Sequence, residues 1–447
     1  MIYKILRDKY KYMYCALSAL IILLMVFLSE KISEKETSWK CESRADISYC
    51  VYYNSLCYDL DKGPIIITKE KRLLGTRVQF NNKLTPSPLH LPNIMEESYS
   101  HVGPFRSFFD EAFYQEYQPR NAIIFSGWNL VAKFDAENYN LFHWATKISV
   151  AYLARLYEII GLGHSSSSSN VPVDVMSDII NNNSNSYERA FLFRPKATSW
   201  QMGYADIALG PRVKYYFIDD IRMIAERPIC FEKAIIPGAS LNLGDGLLTS
   251  SIFKELALQT KGLNVNDEER NLITIFNQKS RRNILNLHEI IKVIEDEEIS
   301  FRSKANTLPL KVSVVKFEES DDFKVQALQF AKSRIFITSH GSALIHSLFM
   351  QQGGVVIEVN PYQFNYPIDF RIINNFGLYY LRYEAPLQSS KLQQQNMSFD
   401  LYRDWSFLKC SSSDCYGDRR DADFHIDPLY FRNIIRQAVS MVSMSMV

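Results

Sequence analysis

Between residues 271 and 360 short apolar runs of strand length alternate with helical periods, and this alternation constrains the chain more than any other feature it carries. Leu272-Ile273-Thr274-Ile275-Phe276 has the pattern of a buried strand, and a polar, basic loop follows from Asn277 to Asn283. Asn286 with Glu289 three residues on opens a helix whose apolar side is Ile290, Ile291, Val293 and Ile294. Val312 to Phe317 reads as the next strand. Phe323 to Lys332 reads as a helix with Val325, Leu328 and Ala331 on one side, and Ile335-Phe336-Ile337 as a third strand. Ser339-His340-Gly341-Ser342 then turns into a short apolar helix that runs to Phe349, Gly353-Gly354 ends it, and Val355 to Val359 is a fourth strand. The order β-α-β-α-β-α-β predicts an α/β fold: a parallel, doubly wound sheet with right-handed crossovers.

Sheets of this kind bind ligands beyond the carboxyl ends of their strands. Here those ends carry Arg281 and Arg282 after the first strand, His340, Gly341 and Ser342 after the third, and Asn360 after the fourth. Two guanidinium forks suit a diphosphate, and Gly341 and Ser342 let backbone N–H groups at a helix start approach the same anion. Taken singly, paired arginines in a loop are as readily solvated charge, and a lone histidine is as readily a satisfied structural one. Their placement on successive strand ends is what points to a phosphate pocket.

The chain has 447 residues, room for two or three domains. Its 50 Lys and Arg against 49 Asp and Glu give a net charge of +1, which argues against a nucleic-acid partner. Charge is nevertheless uneven. Residues 1–11 hold Lys4, Arg7, Lys9 and Lys11 against Asp8, and Tyr12 to Ser29 contains no charged residue. As a helix that run spans roughly 27 Å, enough for a thin bilayer. A cleaved signal peptide and a buried core helix are the rivals, and Ser29-Glu30-Lys31-Ile32-Ser33 makes a poor cleavage site. With basic flanks retained in the cytoplasm, the expectation is a single-pass type II membrane protein: a tail at 1–11, an anchor at 12–29, a stem at 30–44 whose hydrophilic part from Glu30 to Trp39 has no fixed fold, and the remainder lumenal. The absence of a Lys-Asp-Glu-Leu-like ending favours the Golgi, with the endoplasmic reticulum as the alternative.

Of seven cysteines, Cys15 falls in the apolar run and six remain: Cys41, Cys50, Cys57, Cys230, Cys410 and Cys415. Six can pair completely, and an oxidising compartment is consistent with that. A local pair among the first three and a Cys410–Cys415 pair are both plausible, but spacing does not fix connectivity. No zinc-type cysteine or histidine spacing is present. Asn182 and Asn396 head glycosylation sequons, and the serine- and asparagine-rich stretch 161–187 reads as an exposed loop.

Ile337-Thr338-Ser339-His340-Gly341-Ser342-Ala343-Leu344, then Leu348-Phe349, then Gly354-Val355-Val356-Ile357-Glu358 resembles the signature of glycosyltransferase family 61. Arg282-Asn283-Ile284-Leu285-Asn286, Asn140-Leu141-Phe142-His143-Trp144 and Cys230-Phe231-Glu232-Lys233-Ala234 resemble further segments of that family, in the same order along the chain. Its members include plant Golgi xylosyltransferases and animal enzymes that add N-acetylglucosamine to EGF domains or to O-mannose. The resemblance implies a GT-B architecture of two Rossmann-like domains facing a cleft: an N-terminal, acceptor-side α/β domain at 45–240 and a nucleotide-sugar-binding α/β domain at 241–400. Residues 401–447 form a return segment and helix, for which Asp427 is a good N-cap, Pro428 a good first residue, and Phe431, Ile434, Ile435, Ala438, Val439 and Val442 one apolar face.

The implied reaction is inverting transfer of a sugar, N-acetylglucosamine or xylose, from a UDP-sugar to a hydroxyl of a glycoprotein or glycan, with no cofactor and no metal. Donor binding then falls to Arg282, Arg281 and the His340-Gly341-Ser342 helix start, which can stabilise charge on the leaving diphosphate, and to Glu358, which matches the family signature; by its motif His143 is the nominee for the base. A carboxylate at Glu358 binds the ribose or ties down a loop, and the sequence leaves both open. Family members commonly carry Asp or Glu four residues after the motif histidine, whereas this chain has Lys147, which when protonated accepts no proton. Either His143 suffices, Asp135 or Glu137 serves instead, the lysine is deprotonated, or the chain is a catalytically inactive, membrane-tethered binder of nucleotide sugars or glycans. Asp59-Leu60-Asp61 and Asp421-Ala422-Asp423 match the Asp-x-Asp pattern of metal-dependent transferases, but neither follows a convincing strand, so they read as surface acids.

Overall fold

The computed structural model describes residues 38–44, 47–59, 63–67, 77–79, 111–115, 119, 121–133, 141–159, 187–194, 196–210, 212–240, 257, 263, 265–266, 269–278, 281–302, 310–315, 322–364, 373–374, 376–391 and 414–444. The expected anchor at 12–29, the loop 161–186 with Asn182, the sequon at Asn396, the carboxylates Asp135 and Glu137, and Cys410 lie outside the described residues. Among the described residues no helix is long and apolar enough to cross a membrane.

Among the described residues nine strands make the first sheet: β1 (Ser38–Arg44), β2 (Ile47–Asp59), β3 (Gly63–Ile67), β4 (Arg77–Gln79), β5 (Glu111–Gln115), β6 (Ile123–Lys133), β7 (Arg189–Phe193), β8 (Lys214–Phe217) and β9 (Ile229–Ser240). Their order is β4-β5-β3-β2-β9-β6-β7-β8, with β1 folded back on β2. The half from β9 to β8 is parallel, as in a Rossmann-like sheet. The other half is not purely so, because β2 runs antiparallel to β1, β3 and β9. The sheet therefore begins inside the segment 30–44 expected as a stem: Ser38–Arg44 pairs along its length with Ile47–Tyr53. Alternating Tyr, Val and Cys in 49–53 supply the β-branched and aromatic pattern for that pairing.

Helices α1 (Leu141–Ala154), which runs on as a wider turn to Ile159, α2 (Ser199–Leu209) and α3 (Ile218–Ile224) connect the parallel strands. Thr198 caps α2 in a reciprocal box with Gln201, its hydroxyl accepting the Gln201 N–H and the Gln201 amide oxygen accepting the Thr198 N–H.

The second sheet is wholly parallel. Its strands β10 (Leu272–Phe276), β11 (Lys311–Val315), β12 (Ser333–Ser339), β13 (Val355–Asn360) and β14 (Tyr379–Glu384) lie in the order β11-β10-β12-β13-β14. The four strands read from the sequence are all present, and β14 is a fifth that the alternation up to residue 360 does not reach. On one face α4 (Leu287–Arg302) and the C-terminal helix pack against Ile273, Ile275, Ile335, Ile337, Val355, Ile357 and Val359. On the other, α5 (Phe323–Ala331) and a 3-10 helix (Ser342–Phe349) cover Phe336 and Val356. Residues at even positions thus face one layer and odd ones the other, as a strand period of two requires.

After β14 come the short strand β15 (Ser390–Lys391), α6 (Asp414–Asp421), β16 (Asp423–Phe424) and α7 (Pro428–Met444). The carboxylate of Asp427 accepts the Leu429 N–H at 2.9 Å, so the N-cap read from the sequence forms. Phe431, Ile434, Ile435, Ala438, Val439 and Val442 all bury in the core of the second sheet.

The helices of the two sheets meet in one continuous core. The Trp200 indole N–H donates to the Gln326 side-chain oxygen, the Tyr204 hydroxyl donates to the Ile345 carbonyl at 2.9 Å, and the Phe323 N–H donates to Ser199 at 3.1 Å. His346 lies between Trp200 and Phe330, ring centroids 3.9 and 4.7 Å away.

Candidate functional site

In the second sheet the strand order reverses between β10 and β12, so the crevice of a doubly wound sheet opens between their carboxyl ends. The loop after β10 enters it first. Asn277 closes that loop on itself: its amide donates to the Asn283 side-chain oxygen at 2.7 Å and its own oxygen accepts the Ile284 N–H at 2.9 Å. Arg282 sits there with φ of 53°, a left-handed conformation unusual for a residue with a side chain.

The guanidinium of Arg282 is 3% exposed and donates to the Arg420 carbonyl at 3.0 Å. Its other terminal nitrogen reaches the Gln278 amide oxygen at 3.5 Å, and Gln278 in turn donates to the His340 carbonyl at 3.0 Å. Gly341 has φ of +156°, and a Cβ there would collide with the Gln278 amide, so the turn after β12 accepts glycine for both conformation and space. Arg282, Gln278, His340 and Gly341 therefore converge at this point. Ser342 begins the 3-10 helix immediately beyond, and Arg281 lies beside them, more exposed and 3.2 Å from Asp421.

Glu358 lies on β13, fully buried. Its carboxylate accepts Nδ1–H of His340 at 2.7 Å and the hydroxyl of Tyr380. Burial pushes this carboxyl up, but the hydrogen bond and charge of His340, the Tyr380 hydroxyl and the charge of Arg382 outweigh it and hold the group below the ordinary carboxylate value. Each oxygen of Glu358 thus has a protein donor, and the bond to His340 ties the turn after β12 to β13. Phe364 packs its ring edge-on to His340 at 4.9 Å and lies 6.0 Å from the Arg282 guanidinium.

The pair Asp421 and Asp423 is not the bare surface acid that the sequence suggests. Asp421 accepts two hydrogen bonds from Arg420, at 2.8 and 2.7 Å, and lies within 3.6 Å of Arg282 as well as beside Arg281. Burial raises its carboxyl, but the hydrogen bonds from Arg420 and the charges of Arg420, Arg281 and Arg282 bring it below the usual value. Asp423 accepts the Asn283 N–H at 2.7 Å. Asn286, expected to cap α4, also binds the backbone of Ile426 in both directions at 2.7 and 2.9 Å. The C-terminal segment so clamps the arginine loop at Arg281, Arg282, Asn283 and Asn286. Gln278, Phe364, Tyr380, Asp421 and Asp423 were not assigned to the site from sequence. Gln278 carried a usable signal there, its place in a strand-end loop, and Asp421 and Asp423 carried one in their Asp-x-Asp spacing.

His143 falls in the first turn of α1, and Lys147 one turn later. Between them Trp144 is fully buried, its indole N–H donating to the Gln201 carbonyl at 2.8 Å and its ring 4.8 Å from the Arg194 guanidinium. α1 packs against the 3-10 helix that starts at Ser342, so the His-Trp segment and the His340 turn belong to adjoining elements. The arrangement concentrates guanidinium, imidazole and backbone donors at one sheet edge, a set suited to a polyanion.

A family model described as Glycosyltransferase 61 matches residues 89–357, more than half of the chain. It spans the α1 segment, the arginine loop and the His340 turn, and ends one residue short of Glu358. No curated protein matches the chain.

Proposed function

This chain belongs to glycosyltransferase family 61, and from that premise we propose that it is a lumenal, inverting transferase that moves N-acetylglucosamine or xylose from a UDP-sugar to a hydroxyl of a glycoprotein or glycan. The observation that carries the proposal is the convergence of Arg282, Gln278, His340 and Gly341 where the strand order of the parallel sheet reverses. In this reading the two sheets form the halves of a GT-B enzyme, the donor diphosphate lies over the arginine loop and the Gly341–Ser342 turn, and the acceptor approaches from the α1 side. The chain is held in the Golgi membrane by its N-terminal run.

The acceptor oxygen bonds to the anomeric carbon as the bond from that carbon to the diphosphate breaks on the opposite face. Negative charge grows on the leaving oxygens, and fixed donors already aimed at them lower the barrier without reorganising. The acceptor proton passes to a base on the α1 side, for which His143 is the nominee. Neither sugar nor diphosphate requires a metal if the arginines carry the charge.

A second reading is favoured by Lys147, which stands one turn after His143 where relatives commonly carry a carboxylate. Under it the chain binds nucleotide sugar without turning it over. Both are tested on the full-length chain by measuring binding and hydrolysis of a panel of UDP-sugars with a chelator present, beside Arg282→Ala and Lys147→Glu. Chelator-resistant turnover of one donor, lost in Arg282→Ala, is the expected result. Binding without turnover, with activity gained in Lys147→Glu, would favour the inactive reading, and a folded chain that binds no UDP-sugar would overturn both.

A further inference from the structure

Three guanidinium groups from two remote segments meet at the carboxyl edge of the second sheet, with one carboxylate among them. Asp421 accepts from Nε and Nη2 of Arg420 at 2.8 and 2.7 Å and from Nη1 of Arg281 at 3.2 Å, and Nη1 of Arg282 lies 3.6 Å away. Their exposure is graded. The Arg282 side chain is 3% exposed whereas those of Arg281 and Arg420 are 42% and 37% exposed, so the first makes a floor and the other two a rim in contact with solvent. Arg420 takes part twice, because its carbonyl accepts from Arg282 at 3.0 Å while its side chain meets Arg281 across Asp421. The nearby carboxylates Asp423 and Glu358 are engaged elsewhere, by the Asn283 N–H and by His340 with Tyr380. Asp421 brings one negative charge to three positive ones. Like charges this close repel, and a dianion at the rim relieves that repulsion. Arg420 belongs to α6, beyond the end of the family match at residue 357, so no motif of the chain draws attention to it.

Resting on the nucleotide-sugar reading above, we propose that Arg420 is a third donor-binding arginine, which together with Arg281 forms a rim of positive charge holding the diphosphate over Arg282. Its contribution is the charge itself, placed beside a dianion at a partly desolvated edge where attraction is stronger than on an open surface. Asp421 fixes the guanidinium by both oxygens, so little side-chain freedom is left to lose when the anion arrives. The C-terminal segment thus adds affinity to the site as well as holding its shape. A rim of this kind reads the phosphates and is indifferent to the nucleoside attached to them.

The test is equilibrium binding of UDP, UMP, uridine and inorganic pyrophosphate to the full-length chain, in the wild type, Arg420→Gln and Arg420→Lys, each repeated with Asp421→Asn. Arg420→Gln should weaken UDP and pyrophosphate about tenfold, weaken UMP less and leave uridine unchanged, and the loss should shrink as salt is raised. Arg420→Lys keeps the charge and should recover most of the affinity. Because Arg420 also holds Asp421, the Asp421→Asn background separates its two roles. A charge acting on the ligand still costs about tenfold there, whereas a residue acting only through Asp421 costs nothing further. A loss that vanishes in that background would overturn the proposal, as would equal losses for UDP and uridine, or a lysine variant no better than the glutamine one. Should Arg420→Gln not fold, Arg420→Met, which keeps the apolar stem and drops the charge, must show the same loss. Pyrophosphate binding that depends on Arg420 in a chain that binds no UDP would sink the donor reading and keep the anion rim. UDP binding indifferent to Arg420→Gln would do the reverse, and a folded wild type that binds neither would overturn both.

Discussion

At the scale of single residues, the site depends on one glycine and the core on one histidine. Gly341 combines positive φ with a contact that leaves no room for a methyl group, so Gly341→Ala must displace Gln278 and with it the link to Arg282. The expected cost is about 1–3 kcal/mol of stability, with a larger loss of donor affinity, checked by denaturant unfolding beside UDP titration. His346 is buried among Trp200 and Phe330, and desolvation lowers its pKa from 6.5 to about 3. The folded state therefore resists a proton that the unfolded chain accepts below about 6.5. Stability contributed by the neutral ring is complete above that value and is lost as the pH falls from 6.5 towards 3, by up to about 1.4 kcal/mol per unit. Urea melts of the wild type and His346→Phe over this window should show a shallower acid decline in the variant. Parallel curves would mean that the ring is already protonated or reaches solvent.

At the scale of elements, the segment from α6 to α7 acts on the arginine loop as a latch. Asp421 balances Arg281, Arg282 and Arg420, while Asp423 and the backbone of Ile426 hold Asn283 and Asn286. Asp421→Asn removes the charge and keeps the shape. The donor KM should rise several-fold with a smaller change in kcat, because the arginines are still present but no longer held. Acid should mimic the variant: the Asp421 carboxyl is depressed in the folded chain, so its contribution is whole above its ordinary value of 3.8 and is lost as the pH falls below it. An unchanged KM in Asp421→Asn would show that the loop holds its shape without the latch. A sequence reading could identify Asp421-Ala422-Asp423 as an acidic pair but not its partners, which lie about 140 residues away.

At the scale of the whole molecule, two long-range devices join segments that are remote in sequence. Cys57 and Cys230 pair across neighbouring strands β2 and β9, 173 residues apart. Removing the bridge in a Cys57→Ala, Cys230→Ala chain should cost about 2–4 kcal/mol, read as a lowered denaturant midpoint that reductant no longer changes. Between the sheets, Trp200 fills the space among Phe323, His346 and Phe349. Trp200→Ala should cost about 3–5 kcal/mol, and a loss well below that would mean that the two halves pack more loosely than their shared core implies. Local sequence determined much of the second sheet: Leu272–Phe276, Ser333–Ser339 and Val355–Asn360 are apolar enough to be strands wherever they lie, and Asp427-Pro428 starts a helix by its own hydrogen bonds and fixed φ. It also put Arg282, His340 and Gly341 on strand ends, since a parallel α/β order brings such ends to one edge. Tertiary structure decided the rest. The pairing of β1 with β2, the choice of Cys230 as the partner of Cys57, the seating of His340 on Glu358 and the latch of Asp421 all depend on which distant segments become neighbours. Burial and hydrogen bonding settle that only when the whole chain is packed, because no local period or spacing carries the identity of a partner more than a hundred residues away.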